Sequence, residues 1–277
     1  MSLRASEYVS SQAAISGRIS YFDRGSGSAL LLIHGMFGDH LDWEPVLAPL
    51  SESHRVIAVD LPGFGDSDKP SRAYSESFLV DTLHRLLKHL GLRSATVVGN
   101  SFGGLVALLY TLHHSETVER LVLVDSGGFR EYSEQEKVST QERFAAARLV
   151  ALTPEDVGAL FAPVFAKQSE NQERYLRRQK DKLQRGDYPA YAAAQASSIE
   201  LATSHCLLDR LDQILCPTLL LWGREDRVLP VFQAEKALER LPQGKLVVLP
   251  GCGHAPQLDC PKAFLAALEQ FLGDSQP

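Results

Sequence analysis

The chain has 277 residues, of which 44% are hydrophobic and 22% charged, and its formal net charge is −6 at pH 7. A chain of this size can bury a large apolar core, either in one α/β domain or in a core domain with an insertion. The modest negative charge argues against nucleic acid and anionic membrane surfaces as partners.

Two further classes are disfavoured by the residue pattern. No stretch approaches the roughly 18 apolar residues of a membrane span, and the N-terminal segment has no apolar signal-peptide core. We therefore expect a cytoplasmic protein with no membrane partner. The cysteines form no CxxC pattern and no Cys/His cluster, so we expect free or buried thiols rather than a zinc site or a disulfide framework; they are Cys206, Cys216, Cys252 and Cys260.

Short apolar segments that resemble buried strands recur along the chain. They are Arg18 to Asp23, Ala29 to Ile33, Val56 to Val59, Thr96 to Val98, Leu121 to Val124, Thr218 to Leu221 and Leu246 to Leu249. Amphipathic patterns between them predict helices over Ser75 to Leu90, Phe102 to His113, Val231 to Leu241 and Pro261 to Leu272. This alternation predicts an α/β fold, with a mostly parallel sheet and helices on both faces.

The alternation stops in the middle of the chain. Helical patterns there cover Ser133 to Leu152, Pro154 to Ala166, Asn171 to Gln184 and Tyr188 to Leu208. We predict a core domain of residues 1–128 and 212–277, and a helical cap of residues 129–211 at the carboxyl ends of the strands, where ligands bind in open α/β sheets. The basic stretch ERYLRRQKDKLQR is interpreted as a solvated helix face whose inner side is Tyr175, Leu176 and Leu183.

One serine stands where a strand is predicted to end and a helix to begin. The segment Gly99-Asn100-Ser101-Phe102-Gly103 matches the G-x-S-x-G nucleophile elbow, in which glycines leave room for a tight strand-to-helix turn. Ser101 would lie at a helix N-terminus, which favours developing negative charge. The alternative interpretation of Ser101 is an ordinary helix cap.

A nucleophilic serine needs a base and an orienting carboxylate. His254 lies in the loop between the last strand and the last helix, and Asp226 lies in the loop after the strand before it. The order Ser, Asp, His is the one expected for this elbow. Glu225 and Asp125 are the rival carboxylates, and Asp125 directly follows a strand.

The oxyanion formed on attack needs fixed donors. We expect them to be the backbone N–H of Phe102, which follows the serine, and of Met36 in the loop His34-Gly35-Met36-Phe37-Gly38. His34 would brace this loop without carrying a proton.

Five ordered motifs carry a family resemblance: HGMFG, DLPGFGDSD, GNSFGG, WGREDRVLP and GCGHAPQLDCP. In order and spacing they resemble the α/β-hydrolase fold superfamily over nearly the whole chain apart from the cap. The resemblance implies an eight-stranded, mostly parallel sheet, a helical cap, and a triad of Ser101, Asp226 and His254. It also implies backbone donors at Phe102 and Met36, and neither a cofactor nor a metal.

A serine at the elbow favours acyl transfer or hydrolysis, because epoxide hydrolases and haloalkane dehalogenases of this fold have aspartate there. GNSFGG and the GREDR loop also resemble carbon–carbon hydrolases of meta-cleavage products, but those usually carry tryptophan where this chain has Ala255. We therefore predict a serine hydrolase of small carboxylic esters, with carbon–carbon hydrolysis and a non-catalytic ligand-binding protein as alternatives. Candidate residues around the small-molecule substrate are Phe37, Phe129, Phe161 and Phe165. The sequence does not indicate an oligomeric state.

Overall fold

An eight-stranded sheet forms the centre of the molecule. The computed structural model describes residues 6–10 and 17–273; residues 1–5 and 11–16, on which the expectation about a signal peptide rests in part, lie outside that range. The strands are β1 (Ser6–Ser10), β2 (Gly17–Arg24), β3 (Ala29–Ile33), β4 (Arg55–Val59), β5 (Ala95–Asn100), β6 (Val118–Val124), β7 (Thr218–Gly223) and β8 (Gly244–Leu249). Their order is β1-β2-β4-β3-β5-β6-β7-β8. The pairs β1–β2 and β2–β4 are antiparallel and the others are parallel. The predicted α/β fold class is confirmed.

Eleven helices accompany these strands in the described part of the chain. They are α1 (Glu44–Leu50), α2 (Glu76–His89), α3 (Phe102–His113), α4 (Glu134–Arg143), α5 (Ala146–Val150), α6 (Pro154–Phe161), α7 (Glu170–Lys182), α8 (Tyr188–Ser204), α9 (Phe232–Leu238), α10 (Pro256–Asp259) and α11 (Pro261–Gly273). The edge strand β1 and the short helices α1 and α10 were not predicted. The helices α1 and α10 have seven and four residues, too few to show a helical period, and β1 lacks the continuous apolar run of the central strands.

The central strands are buried on both faces, which explains their continuous apolar sequences. In β3, Leu31 and Ile33 pack with the apolar sides of α2 and α3. Leu30 and Leu32 point to the opposite face and pack with α1 and α11, where Trp43 and its neighbours complete a second core. This period-two division fixes the sheet between two helical layers.

The segment between β6 and β7 consists of helices, as predicted. We call residues 129–211 the inserted segment; it contains α4 to α8. One helix predicted over Ser133 to Leu152 is instead two, because α4 ends at Arg143 with Phe144 as its C-cap, and the chain leaves the helical conformation at Ala145. Phe144 turns inward and packs against Phe37 of the core, with ring centroids 5.8 Å apart. This packing ends the helix, although the local sequence favours its continuation.

The basic helix α7 differs from the sequence interpretation. Tyr175 is buried, as expected. Arg178 and Lys182, however, also face the core: Arg178 pairs with Asp42 at 2.7 Å, and Lys182 pairs with Asp39 at 2.8 Å. The prediction of a solvated basic face was therefore wrong for these two cations, which have carboxylate partners far away in the sequence.

The cysteine prediction was wrong for one pair. Cys252 and Cys260 form a disulfide, with Cα atoms 5.9 Å apart, while Cys206 and Cys216 are free. The turn made by α10 brings the paired residues together, and no short cysteine motif signals it. Among the helices that the structure describes, none has the length and apolarity needed to cross a bilayer.

Candidate active site

Ser101 occupies a sharp turn between β5 and α3. Its backbone has φ 54° and ψ −116°, outside the ordinary regions for a residue with a side chain. A Cβ at Gly99 would collide with the carbonyl of Gly103, and a Cβ at Gly103 would collide with the carbonyl of Ile33. The glycines of G-x-S-x-G therefore permit the close crossing of strand and helix that holds Ser101 at the edge of the sheet.

Ser101, His254 and Asp226 are joined by hydrogen bonds at this edge. The Oγ of Ser101 lies 2.8 Å from Nε2 of His254, and Nδ1 of His254 lies 2.8 Å from Oδ2 of Asp226. His254 and Asp226 are buried and Ser101 is half-buried. The carboxylate accepts from Nδ1–H, so Nε2 has a free lone pair directed at the serine hydroxyl. This arrangement can take the hydroxyl proton during a nucleophilic attack.

The loop after β7 holds Asp226 in one orientation. Its Oδ1 accepts hydrogen bonds from the backbone N–H groups of Val228 at 2.7 Å and Leu229 at 2.9 Å. The rival Glu225 accepts from the N–H of Cys252 at 3.0 Å instead. Glu225 therefore supports the backbone of the histidine loop, whereas Asp226 contacts the imidazole.

Asp125, the other rival, lies beside Asp226 and is completely buried. It has φ 43°, and its Oδ1 accepts from the N–H of Gly223 at 2.9 Å. Burial and the neighbouring charge of Asp226 raise the pKa of Asp125 well above its usual value. A protonated Asp125 can donate a hydrogen bond toward the carboxylate of Asp226.

Asp125, Asp226 and His254 are also the one group in the described residues whose donor atoms lie close enough together to hold a metal ion. Oδ2 of Asp226 and Nδ1 of His254 are already hydrogen-bonded to each other. Oδ1 of each aspartate accepts hydrogen bonds from backbone N–H groups. These residues fit a hydrogen-bonded relay better than a metal site.

The loop after β3 lies against the serine. A Cβ at Gly35 would be 3.3 Å from Cβ of Ser101. His34 Nε2 accepts from the N–H of Leu61 at 3.1 Å, so the proton is on Nδ1, which donates to the carbonyl of Gly35 at 2.8 Å. Burial lowers the pKa of His34. His34 thus contacts the loop as a neutral ring, as expected from the sequence.

Backbone donors are available on both sides of Ser101. Phe102 is the first residue of α3, where N–H groups have no acceptor within the helix. Met36 lies in the loop after β3, and both residues line the same cavity as Ser101. The arrangement can therefore present N–H groups to a developing oxyanion.

A cavity of about 260 Å³ extends from Ser101 and His254 under the inserted segment. Phe37 and Phe161 line it, but Phe129 and Phe165 do not. Phe129 stacks on Trp222 at 6.2 Å, and Phe165 packs edge-on against Tyr175 at 5.4 Å. Most other lining side chains are apolar, including Leu105, Leu160, Val164, Ile199, Ala202, Val228 and Leu229.

Two residues that support the site were missed by sequence reasoning. The Nδ2 of Asn100 donates to the carbonyls of Val124 at 3.0 Å and His254 at 3.1 Å, and so ties the serine turn to the histidine loop. Asp259 accepts from the N–H groups of Gly253 and Ala166, both at 2.8 Å. Asn100 is the last residue of β5, next to the serine, which is a usable signal, but the partners of Asp259 could not be inferred from spacing.

Comparison with known proteins agrees with this architecture. A sequence model described as alpha/beta hydrolase fold matches residues 28–261. The chain belongs to the α/β hydrolase family. This hydrolase is 30% identical over 250 residues to pimeloyl-[acyl-carrier protein] methyl ester esterase of Nitrosomonas europaea, covering 88% of this chain and 96% of the relative.

Other relatives have a different activity in their names. The hydrolase is 29% identical over 271 residues to 2-hydroxymuconate semialdehyde hydrolase of Pseudomonas sp. strain CF600, covering 93% and 91% of the two chains. Its fold matches the crystal structure of a probable hydrolytic enzyme from Pseudomonas aeruginosa with a TM-score of 0.87 and 26% identity, over 98% of this chain and 94% of that one. Membership of this family indicates that the chain is a hydrolase with a small-molecule substrate. Members of the family include both esterases and meta-cleavage-product hydrolases.

Proposed function

We propose that this protein hydrolyses small, uncharged carboxylic esters through an acyl-enzyme on Ser101. The observation that carries the proposal is the continuous relay from Ser101 through His254 to Asp226, at 2.8 Å for each contact, opening into the cavity. A serine hydroxyl that is hydrogen-bonded in this relay is activated for nucleophilic attack. A helix cap or a passive ligand-binding site does not require such a relay.

The reaction would proceed in two steps. Ser101 Oγ attacks the ester carbonyl while its proton passes to Nε2 of His254, and the N–H groups of Phe102 and Met36 bind the oxyanion. His254 then gives the proton to the leaving alcohol, and an acyl-enzyme forms. Water attacks this ester while its proton passes to Nε2 of His254, which gives the proton to Ser101 Oγ as the acid leaves. Asp226 stabilises the imidazolium in both steps.

The cavity lining favours an uncharged acyl group. Of the described residues, Asp42 and Arg130 are the acidic and basic side chains that line it besides His254. Asp42 is paired with Arg178 at 2.7 Å, and Arg130 is exposed and paired with Glu136. A substrate carboxylate, such as that of a dienoic acid, would therefore meet an apolar wall and would have to compete for Arg130. This supports an ester over a meta-cleavage product as substrate.

The inserted segment is proposed to act as a cap, since residues of its helices α4, α6, α7 and α8 line the cavity. Location in the cytoplasm is also proposed, from sequence alone, although the Cys252–Cys260 disulfide is typical of an oxidising compartment. Trapping with a thiol-alkylating reagent in cells tests it, because Cys252 and Cys260 would be reduced thiols in that compartment and a disulfide in an oxidising one.

A panel of p-nitrophenyl esters graded by acyl length, together with one vinylogous diketone acid, tests the proposed reaction. We expect turnover of short esters, none of the diketone, and at least a 10³-fold loss in Ser101→Ala with an unchanged melting temperature. Diketone cleavage without ester cleavage would establish the carbon–carbon hydrolase instead. No turnover of either, with Ser101 inert to a fluorophosphonate, would establish the binding protein.

A further inference from the structure

The backbone of Phe37 is held from both sides by the inserted segment. Its N–H donates to Oε1 of Gln195 at 2.9 Å. Its carbonyl accepts from Nζ of Lys182 and from the hydroxyl of Tyr191, each at 2.8 Å. The three partners lie on α7 and α8, more than 140 residues further along the chain. Every hydrogen-bonding group of this peptide backbone is thus satisfied by the inserted segment.

Phe37 needs such support because its backbone is in the left-handed region, at φ 63°. A residue with a side chain adopts this conformation only when its surroundings hold it there. Phe37 directly follows Met36, whose N–H is the proposed oxyanion donor. On the other side of Met36, the carbonyl of Gly35 accepts from His34 at 2.8 Å and from the N–H of Gly38 at 3.1 Å. The core therefore holds the loop before Met36, and the inserted segment holds it after Met36.

The three hydrogen-bond partners of Phe37 contact the loop on the side that faces away from the cavity. Gln195, Tyr191 and Lys182 are all buried, and none of them lines the cavity. The Nε2 of Gln195 is buried without a hydrogen-bond partner among the described residues. An unpaired buried amide nitrogen costs stability, so the contribution of Gln195 lies in the bond that its oxygen accepts from Phe37.

We propose that Gln195, Tyr191 and Lys182 position the loop that carries the Met36 N–H, so that docking of the inserted segment on the core assembles the oxyanion hole. The inference rests on the proposed function for the role of Met36. The inserted segment then does more than cover the substrate: contacts outside the cavity hold one of the two donors in place. These three are positioning residues, because they reach the reaction only through the Phe37 backbone.

Two neighbouring tyrosines of α8 provide a matched test. The Tyr191 hydroxyl donates to the core at Phe37, and the Tyr188 hydroxyl donates at 3.1 Å to the carbonyl of Leu149, within the inserted segment. Tyr191→Phe and Tyr188→Phe each remove one buried hydroxyl, so both should lower the melting temperature by similar amounts. Gln195→Met, of nearly the same shape, removes the acceptor on the other side of Phe37. Lys182 is left intact because its removal would also break its 2.8 Å ion pair with Asp39, whose other cation, Arg178, is 4.0 Å away.

We expect Tyr191→Phe and Gln195→Met to lower kcat roughly 10-fold with little change in KM, less than the 10²–10³-fold cost of deleting an oxyanion donor outright. The rate of phosphonylation of Ser101 by a fluorophosphonate should fall in parallel. Tyr188→Phe should keep the wild-type kcat. Equal losses of kcat in Tyr188→Phe and Tyr191→Phe would overturn the proposal, because both would then reflect general packing.

Amide hydrogen exchange in residues 34–38 tests the same contacts without any substrate. Exchange should be faster in Tyr191→Phe and Gln195→Met than in the wild type or Tyr188→Phe. Unchanged exchange in both variants would overturn the proposal. Failure of the proposed function would instead show in the wild-type protein, as absence of ester turnover and of Ser101 labelling, and the exchange comparison would still decide whether the inserted segment holds the loop.

Discussion

Replacement of Asp226 by asparagine distinguishes the role of Asp226 from that of Asp125, the other buried carboxyl group near His254. In the wild type, Oδ1 of Asp226 is held by the N–H groups of Val228 and Leu229, and Oδ2 accepts from His254. In Asp226→Asn, the amide oxygen would keep the hydrogen bonds from the two backbone N–H groups, so the NH₂ group would face Nδ1 of His254. The imidazole would then carry its proton on Nε2 and could not accept the proton of Ser101.

The expected loss in kcat is about 10⁴-fold, equivalent to about 5.4 kcal/mol of barrier at 1.36 kcal/mol per factor of ten. The assay is steady-state hydrolysis of a p-nitrophenyl ester at pH 7.5, with thermal unfolding as a check of the fold. Asp125→Asn is the matched control, because its amide oxygen can still accept from Gly223 while its NH₂ group replaces the protonated carboxyl oxygen. We expect this control to stay within about tenfold of the wild type. A loss in Asp125→Asn equal to that in Asp226→Asn would refute the assignment of roles.

Three further predictions concern stability. The raised pKa keeps Asp125 protonated in the folded state at pH values where the unfolded chain has released this proton, so this group lowers the stability of the fold as the pH rises above about 4. The melting temperature of Asp125→Asn relative to the wild type should therefore increase from pH 5 to pH 8. A constant difference in melting temperature would contradict this. Gly103→Ala should lower the free energy of unfolding, measured in urea, by at least about 2 kcal/mol. Gly158→Ala lies in α6 with nothing within 4 Å of its added Cβ, and it should raise this free energy by about 0.5–1 kcal/mol. Equal effects of the two variants would argue against the tight crossing of strand and helix at Ser101. The double variant Cys252→Ser/Cys260→Ser should lose about 2–3 kcal/mol and should show no further drop in melting temperature with dithiothreitol, unlike the wild type.

The sequence was sufficient to bring Ser101, Asp226 and His254 to one place. All three follow strands of a parallel sheet, and the carboxyl ends of such strands meet at a common edge. Strand identity and chain order therefore predict their proximity without any knowledge of side-chain packing. The loop that contains Met36 is placed in the same way, since it follows β3 beside the serine strand.

Contacts that depend on packing between distant segments could not be predicted. Arg178 and Lys182 have the local pattern of a solvated face, and only the docking of α7 on the loop after β3 turns them inward. The backbone contacts of Phe37 and the break of the predicted helix at Phe144 have the same origin. Helical periodicity reports which face of a helix is apolar, but it does not report which partner that face will meet.

The central claim is that His254 activates Ser101 for covalent catalysis. Intact-protein mass spectrometry after brief exposure to a fluorophosphonate measures this directly. We expect a single adduct per chain, located on Ser101 by peptide mapping, absent in Ser101→Ala and formed at least 10²-fold more slowly in His254→Ala. Labelling of His254→Ala at the wild-type rate, or an adduct that persists in Ser101→Ala, would contradict it.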